Sequence, residues 1–97
     1  MEFLIKRTDG EWFDLRKDRF NEILRPTSML SKTIQGWGDH RIEVLGCAVA
    51  FSYEDVGIQV SFEGKDIPET RAEEIVEEIC RNIEEATHQR GRVMRIE

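Results

Sequence analysis

Two histidines and two cysteines are the only imidazoles and thiols among 97 residues. Any chemistry must therefore be built from few parts. The most distinctive stretch is Gly36-Trp37-Gly38-Asp39-His40. Its glycines free the backbone around a large aromatic, which suits Trp37 to anchoring a partner, because tryptophan is enriched among binding hot spots. Asp39 and His40 place a carboxylate beside an imidazole, the residue types of general-base catalysis. Adjacent side chains rarely converge on one substrate atom, however, and a loop tryptophan can equally cap the edge of a core.

Metal and nucleophile chemistry find less support. His40, His88, Cys47 and Cys80 show no CxxC or HxxxH spacing, the local pattern that structural metal sites use. Cys80 and His88 fall on one expected helix, yet they differ by about 80° in azimuth and about 12 Å in rise. Gly36 and Gly38 are not followed by the Lys-Ser/Thr of a phosphate-binding loop. No catalytic, cofactor-binding or metal-binding residue is assigned, and neither an enzyme nor a cofactor is expected.

Charge supplies the second candidate site. Glu73, Glu77 and Glu84 fall along one ridge of the expected helix and Glu74, Glu78 and Glu85 along another, with Arg81 and His88 between them. Intrahelical pairs such as Glu77–Arg81 and Glu84–His88 would make this an ordinary solvated face. The sharper reading is an electrostatic docking surface for a basic partner. The candidate partner-binding residues are thus Trp37, Asp39, His40, Glu74, Glu77, Glu78 and Glu85.

The elements that must position these residues follow from hydrophobic periodicity. Residues 2–7 read as a short strand around Phe3 and Ile5. Asp9-Gly10 suits a tight hairpin turn, and residues 11–15 read as the returning strand. Phe20, Ile23 and Leu24 have helical spacing before Pro26, so residues 16–24 read as a short helix. Residues 27–40 read as a weakly ordered connection rich in Ser, Thr and Gly.

The strongest β signal runs from Arg41 to Glu63. A two-residue turn at Glu54-Asp55 would pair Tyr53 with Val56, Phe51 with Ile58, Val49 with Val60 and Cys47 with Phe62. All eight side chains then share one face, while Ala48, Ala50, Ser52, Gly57, Gln59 and Ser61 take the other. Ala72, Ile75, Val76, Ile79, Cys80, Ile83 and Ala86 recur at three- and four-residue steps, the arc of a helix lying on a sheet. Pro68 suits its first position, and Gly91 suits a left-handed stop. Residues 92–96 alternate as a last strand. The order β-β-(α)-β-β-α-β predicts a single α+β domain over residues 1–97, its mainly antiparallel sheet covered on one face by the long amphipathic helix.

Composition bounds the rest. Apolar residues make up 39% and charged residues 35%, and the apolar ones are patterned, which argues against disorder. No run approaches the roughly 18 apolar residues of a membrane span. The first residues lack the basic region and apolar run of a secretory signal, which favours the cytoplasm, where both cysteines would be buried free thiols. Residues 1–48 carry eight basic and eight acidic side chains, whereas residues 49–97 carry six and twelve, and 6 − 12 accounts for the whole net charge of −6. The acidic half repels phosphates, so no nucleic acid is expected, and it steers cationic partners. A local basic patch of Arg16, Lys17, Arg19 and Arg25 is the one feature that points the other way. A small acidic non-enzymatic protein-binding module, an inhibitor or immunity-type antidote docking a basic surface, is the expected function. The alternative is a small-molecule binding or regulatory domain with a pocket between the sheet and residues 16–40.

Overall fold

A computed structural model describes residues 1–54, 57–64 and 66–97. It is an α+β fold: six strands form one antiparallel sheet, with a long helix and a short one on a single face. The strands are β1 (Glu2–Arg7), β2 (Ser31–Thr33), β3 (His40–Val44), β4 (Cys47–Glu54), β5 (Gly57–Phe62) and β6 (Gly91–Arg95). A 3-10 turn at Lys17–Arg19 leads into α1 (Phe20–Ile23), the short helix expected near residues 16–24. The long helix is α2 (Glu69–Thr87). The strands lie in the order β2-β3-β4-β5-β1-β6, every pairing antiparallel.

The expected face assignment for residues 47–62 survives, but the register does not. Val49 faces Phe62, Phe51 faces Val60 and Tyr53 faces Ile58, while Cys47 faces Val44 of β3. The pairing is displaced by two residues. Because side chains alternate with period two, such a slip keeps every residue on its face. The expected Tyr53–Val56 pair and Glu54-Asp55 turn involve Asp55 and Val56, which lie outside the described residues. Glu54 itself pairs with Gly57.

The first hairpin is a correction. Asp9-Gly10 does turn the chain, with Gly10 at φ 80°, but residues 11–15 form no strand, and β1 lies between β5 and β6. The segment packs against the core with alternate side chains buried. Phe13 and Leu15 are buried, and Leu15 accepts a hydrogen bond from the Tyr53 hydroxyl at 3.3 Å. Any extended segment with one side buried has that alternation, so periodicity could not separate it from a strand. Conversely, β2 falls inside the expected loose connection.

Phe3, Ile5, Ile42, Val44, Val49, Phe51, Ile58, Val60 and Phe62 line the covered face of the sheet, against Ala72, Ile75, Val76, Ile79 and Ile83 of α2. Fully burying each Val, Ile or Phe contributes about 1.5–3 kcal/mol, so this two-layer core is the main source of stability. Pro68 precedes the first helical residue, and its carbonyl accepts the Ala72 N–H at 3.0 Å. The helix ends at His88, which takes the left-handed conformation (φ 58°, ψ 30°) expected of Gly91. Gly91 instead opens β6, where a Cβ would lie 2.7 Å from the Phe13 ring and 3.1 Å from Cys80 Sγ. Its absent side chain lets β6 pass closely under α2. Among the described residues, no helix is long and apolar enough to cross a membrane.

Candidate functional site

The fold separates the candidate residues. In β3, His40 and Ile42 point to the covered face, since they oppose Phe51 and Val49, and Arg41 points to the open face beside Ala50. His40 is half-buried, its ring centroid 5.6 Å from Phe51 and 6.3 Å from Phe20. Burial pushes its pKa below the usual histidine range, and the Arg25 guanidinium adds to this, against an opposing hydrogen bond with the Leu24 backbone. This environment favours the neutral ring, packed between Phe20 and Phe51. Asp39 turns away from it: its carboxylate accepts the Tyr53 N–H at 2.9 Å, and its own N–H donates to the Phe51 carbonyl at 2.8 Å. Asp39 thus extends the β3–β4 ladder by one step, and the two adjacent residues share no target.

Trp37 behaves differently. It is 54% exposed and lies over Arg41, whose guanidinium carbon is 5.7 Å from the ring centroid, a cation–π arrangement. Arg41 stands opposite the small Ala50, and its far end bonds to the Glu63 carboxylate. A Cβ on Gly36 would collide with the Arg41 side chain at 2.4 Å, and one on Gly38 would approach the Phe51 carbonyl at 2.8 Å. The two glycines therefore let the loop close onto Arg41 and hold the tryptophan on the open face of the sheet.

The glutamates divide by azimuth around α2. Glu78 faces the segment after α1. Its carboxylate accepts hydrogen bonds from the backbone N–H groups and hydroxyls of both Thr27 and Ser28. Its partial burial would raise its pKa, but those bonds outweigh that and hold it at about 2. Glu78 is a structural clamp, with Asn82 adding a bond to the Arg25 carbonyl at 2.8 Å. On the opposite flank, Glu69 pairs with Arg95, and Glu84 accepts the Gly91 N–H at 2.8 Å instead of pairing with His88. Glu73, Glu74, Glu77 and Glu85 remain exposed, and Arg71 approaches Glu74 only loosely at 3.6 Å. Thr70, Glu73, Glu74, Glu77, Glu78 and Arg81 border a shallow depression of about 450 Å³.

The arrangement brings Glu74, Glu77 and Glu85 onto one solvent-facing side of α2 and puts Trp37 on the far side of the sheet. Asp39, His40 and Glu78 each make contacts within the fold. Glu73 was outside the expected set although it is as exposed as its neighbours; its azimuth, 40° from Glu77 on an ideal helix, was the available signal. Among the described residues, no group of three or more His, Cys, Asp or Glu side chains could hold a metal ion. The sheet and residues 16–40 meet side chain to side chain around Phe20, Leu24, Phe51, Tyr53 and Ile58, leaving no room there for a water molecule, while a separate recess of about 210 Å³ opens among Thr33, Gly36, Asp39 and Arg41. Comparison with protein-family models, with curated proteins and with solved structures finds no match to this chain.

Proposed function

We propose that the protein is a small non-enzymatic binding module whose α2 surface docks a basic face of a partner protein, in the manner of an inhibitor or antidote. The observation that carries this reading is the division of labour on α2. Glu69, Glu78 and Glu84 are engaged in the fold, whereas Glu73, Glu74, Glu77 and Glu85 stay exposed on a helix anchored along its length. A rigid row of like charges repels itself at some cost in stability, and a cationic partner relieves that repulsion on binding. Complementary charge also raises encounter rates and rejects wrong partners. The close packing of Phe20 and Leu24 on Phe51, Tyr53 and Ile58 leaves no ligand-sized space at that contact, which supports the surface reading.

Trp37 supports a second contact, on the opposite face. One flat partner surface cannot reach both faces of the sheet, so either the partner wraps an edge or the two patches serve separately. The test begins with proteins retained by the immobilised chain at low salt and released as salt rises. For the partner so isolated, the triple variant Glu74→Lys, Glu77→Lys, Glu85→Lys should bind at least about tenfold more weakly, with the fold retained. Trp37→Ala should raise the off-rate by a factor worth about 2 kcal/mol or more if the tryptophan is an anchor. Unchanged affinity of the triple variant would return the helix face to an ordinary solvated surface.

A further inference from the structure

The two edges of the sheet are treated differently. At β2, Arg25 lies along the open side: its guanidinium donates to the Ser31 carbonyl at 3.3 Å and to the Thr33 hydroxyl at 2.8 Å, and is steadied by Asn21. An edge blocked by a cation is protected against strand addition.

At β6 the alternation of an antiparallel ladder decides which groups are free. Thr8 donates to the Arg90 carbonyl and Ile96 donates to the Glu2 carbonyl, so even-numbered residues of this segment bond to β1. The odd-numbered ones point outward. Gly91 confirms the direction, because its N–H reaches the Glu84 carboxylate. Val93 and Arg95 follow in the same phase, and no described residue outside the strands supplies a main-chain partner for their N–H groups.

What lies above this edge selects its occupant. Arg95 contacts Glu69 at one end and Gly91 contacts Glu84 at the other, so α2 runs antiparallel over β6 with that flank beside the edge. Glu73 and Glu77 fall between those two contacts on the same flank and are exposed.

We propose that the β6 edge is a strand-addition site for an extended segment of the partner carrying basic side chains at alternate positions. The added strand lies antiparallel, like every other pairing in the sheet. Its residues opposite Val93 and Arg95 exchange main-chain hydrogen bonds, the Gly91 N–H being held by Glu84. Those opposite Gly91 and Val93 turn lysines or arginines toward Glu73 and Glu77, away from Arg95, which is paired with Glu69. The intervening residues turn to the open face beside Arg92 and Met94, where basic side chains are disfavoured by Arg92 itself. A second copy of this chain fits poorly, because two-fold pairing of β6 would bring Glu73 and Glu77 of both copies face to face. The proposal rests on the docking reading above and adds main-chain recognition to it.

The test uses a synthetic nonapeptide of alternating lysine and threonine, with lysine at both ends, and amide exchange of the ¹⁵N-labelled protein. The peptide should slow exchange at Val93 and Arg95 by about tenfold. Peptide methylated on its lysine amides should lose this effect, and peptide methylated on its threonine amides should keep it. Glu73→Lys should weaken the peptide several-fold with the fold retained. Binding that leaves Val93 and Arg95 unprotected, or that ignores methylation of the lysine amides, overturns the edge site. So does absence of binding at millimolar peptide. In these cases the docking reading stands or falls separately, by the response of the isolated partner to the Glu74, Glu77 and Glu85 reversals. Sedimentation revealing a dimer of the free chain, with both amides protected, would assign the edge to a second copy and overturn the proposal equally.

Discussion

Leu45 sits in a tight β3–β4 turn with φ 53°, followed by Gly46 at φ 76°. Positive φ at both central positions is the geometry of a two-residue hairpin turn whose twist matches the strands. Leucine at the first position crowds its Cβ against the following carbonyl at a cost of about 1–2 kcal/mol, and at 53% exposure the side chain recovers little by burial. Leu45→Asn should therefore stabilise the protein by about 1 kcal/mol, measured by urea unfolding. A loss of stability would mean that the leucine makes a contact that offsets its strain. The two thiols are a second test at this scale. Burial raises the Cys80 pKa to about 12, with Glu84 and Glu77 adding to it, and burial followed by Asp66 raises that of Cys47. Reactivity belongs to the thiolate. Both cysteines should resist an alkylating reagent in the native state and react on denaturation, as followed by mass spectrometry; rapid native labelling of either would contradict their burial.

Among the elements, α2 depends on Glu78 for its tie to residues 27–28. A carboxylate held at about 2, below its ordinary 4.5, binds fewer protons folded than unfolded. Its contribution is thus fully present above pH 4.5 and lost as pH falls from there toward 2. Glu78→Gln should lower the thermal midpoint at neutral pH and lose less of it across that acid window than the wild type does. Parallel acid profiles would remove the clamp. The same element marks what was legible in the sequence. The periodicity of residues 72–86 identifies the buried face, because one helix on one sheet has a single solution. Which glutamates are consumed depends on where Thr27, Ser28, Gly91 and Arg95 arrive, and that is long-range information. The segregation of faces in β4 and β5 was legible too, but not their register, since a two-residue slip leaves both faces intact. Residues 11–15 misled because burial on one side creates the same alternation with or without a paired neighbour. β2 was silent: Ser31-Lys32-Thr33 is short and carries no apolar residue.

At the scale of the whole molecule, charge is organised by layer more than by position along the chain. Halving the sequence assigns the acidity to residues 49–97, yet β6 within that half carries Arg92 and Arg95, and the exposed excess of acid is concentrated on α2. Trp37 and its Arg41 support occupy the opposite side of the sheet. The protein therefore offers an acidic helix layer, an open sheet face with one aromatic, and an unblocked β6 edge between them. A partner that grips the edge can touch both layers, which links the two otherwise separate patches.

The central claim is that exposed glutamates on α2 steer a basic partner into place. The most direct measurement is the association rate of the isolated partner as a function of salt, for the wild type and for the Glu74→Lys, Glu77→Lys, Glu85→Lys variant. Steering by charge falls as added salt shortens the screening length toward about 10 Å at 0.1 M. The wild-type rate should fall steeply with salt, and the variant should start lower and respond weakly or in the opposite sense, with both proteins folded. Superimposable salt profiles for the two would contradict the account.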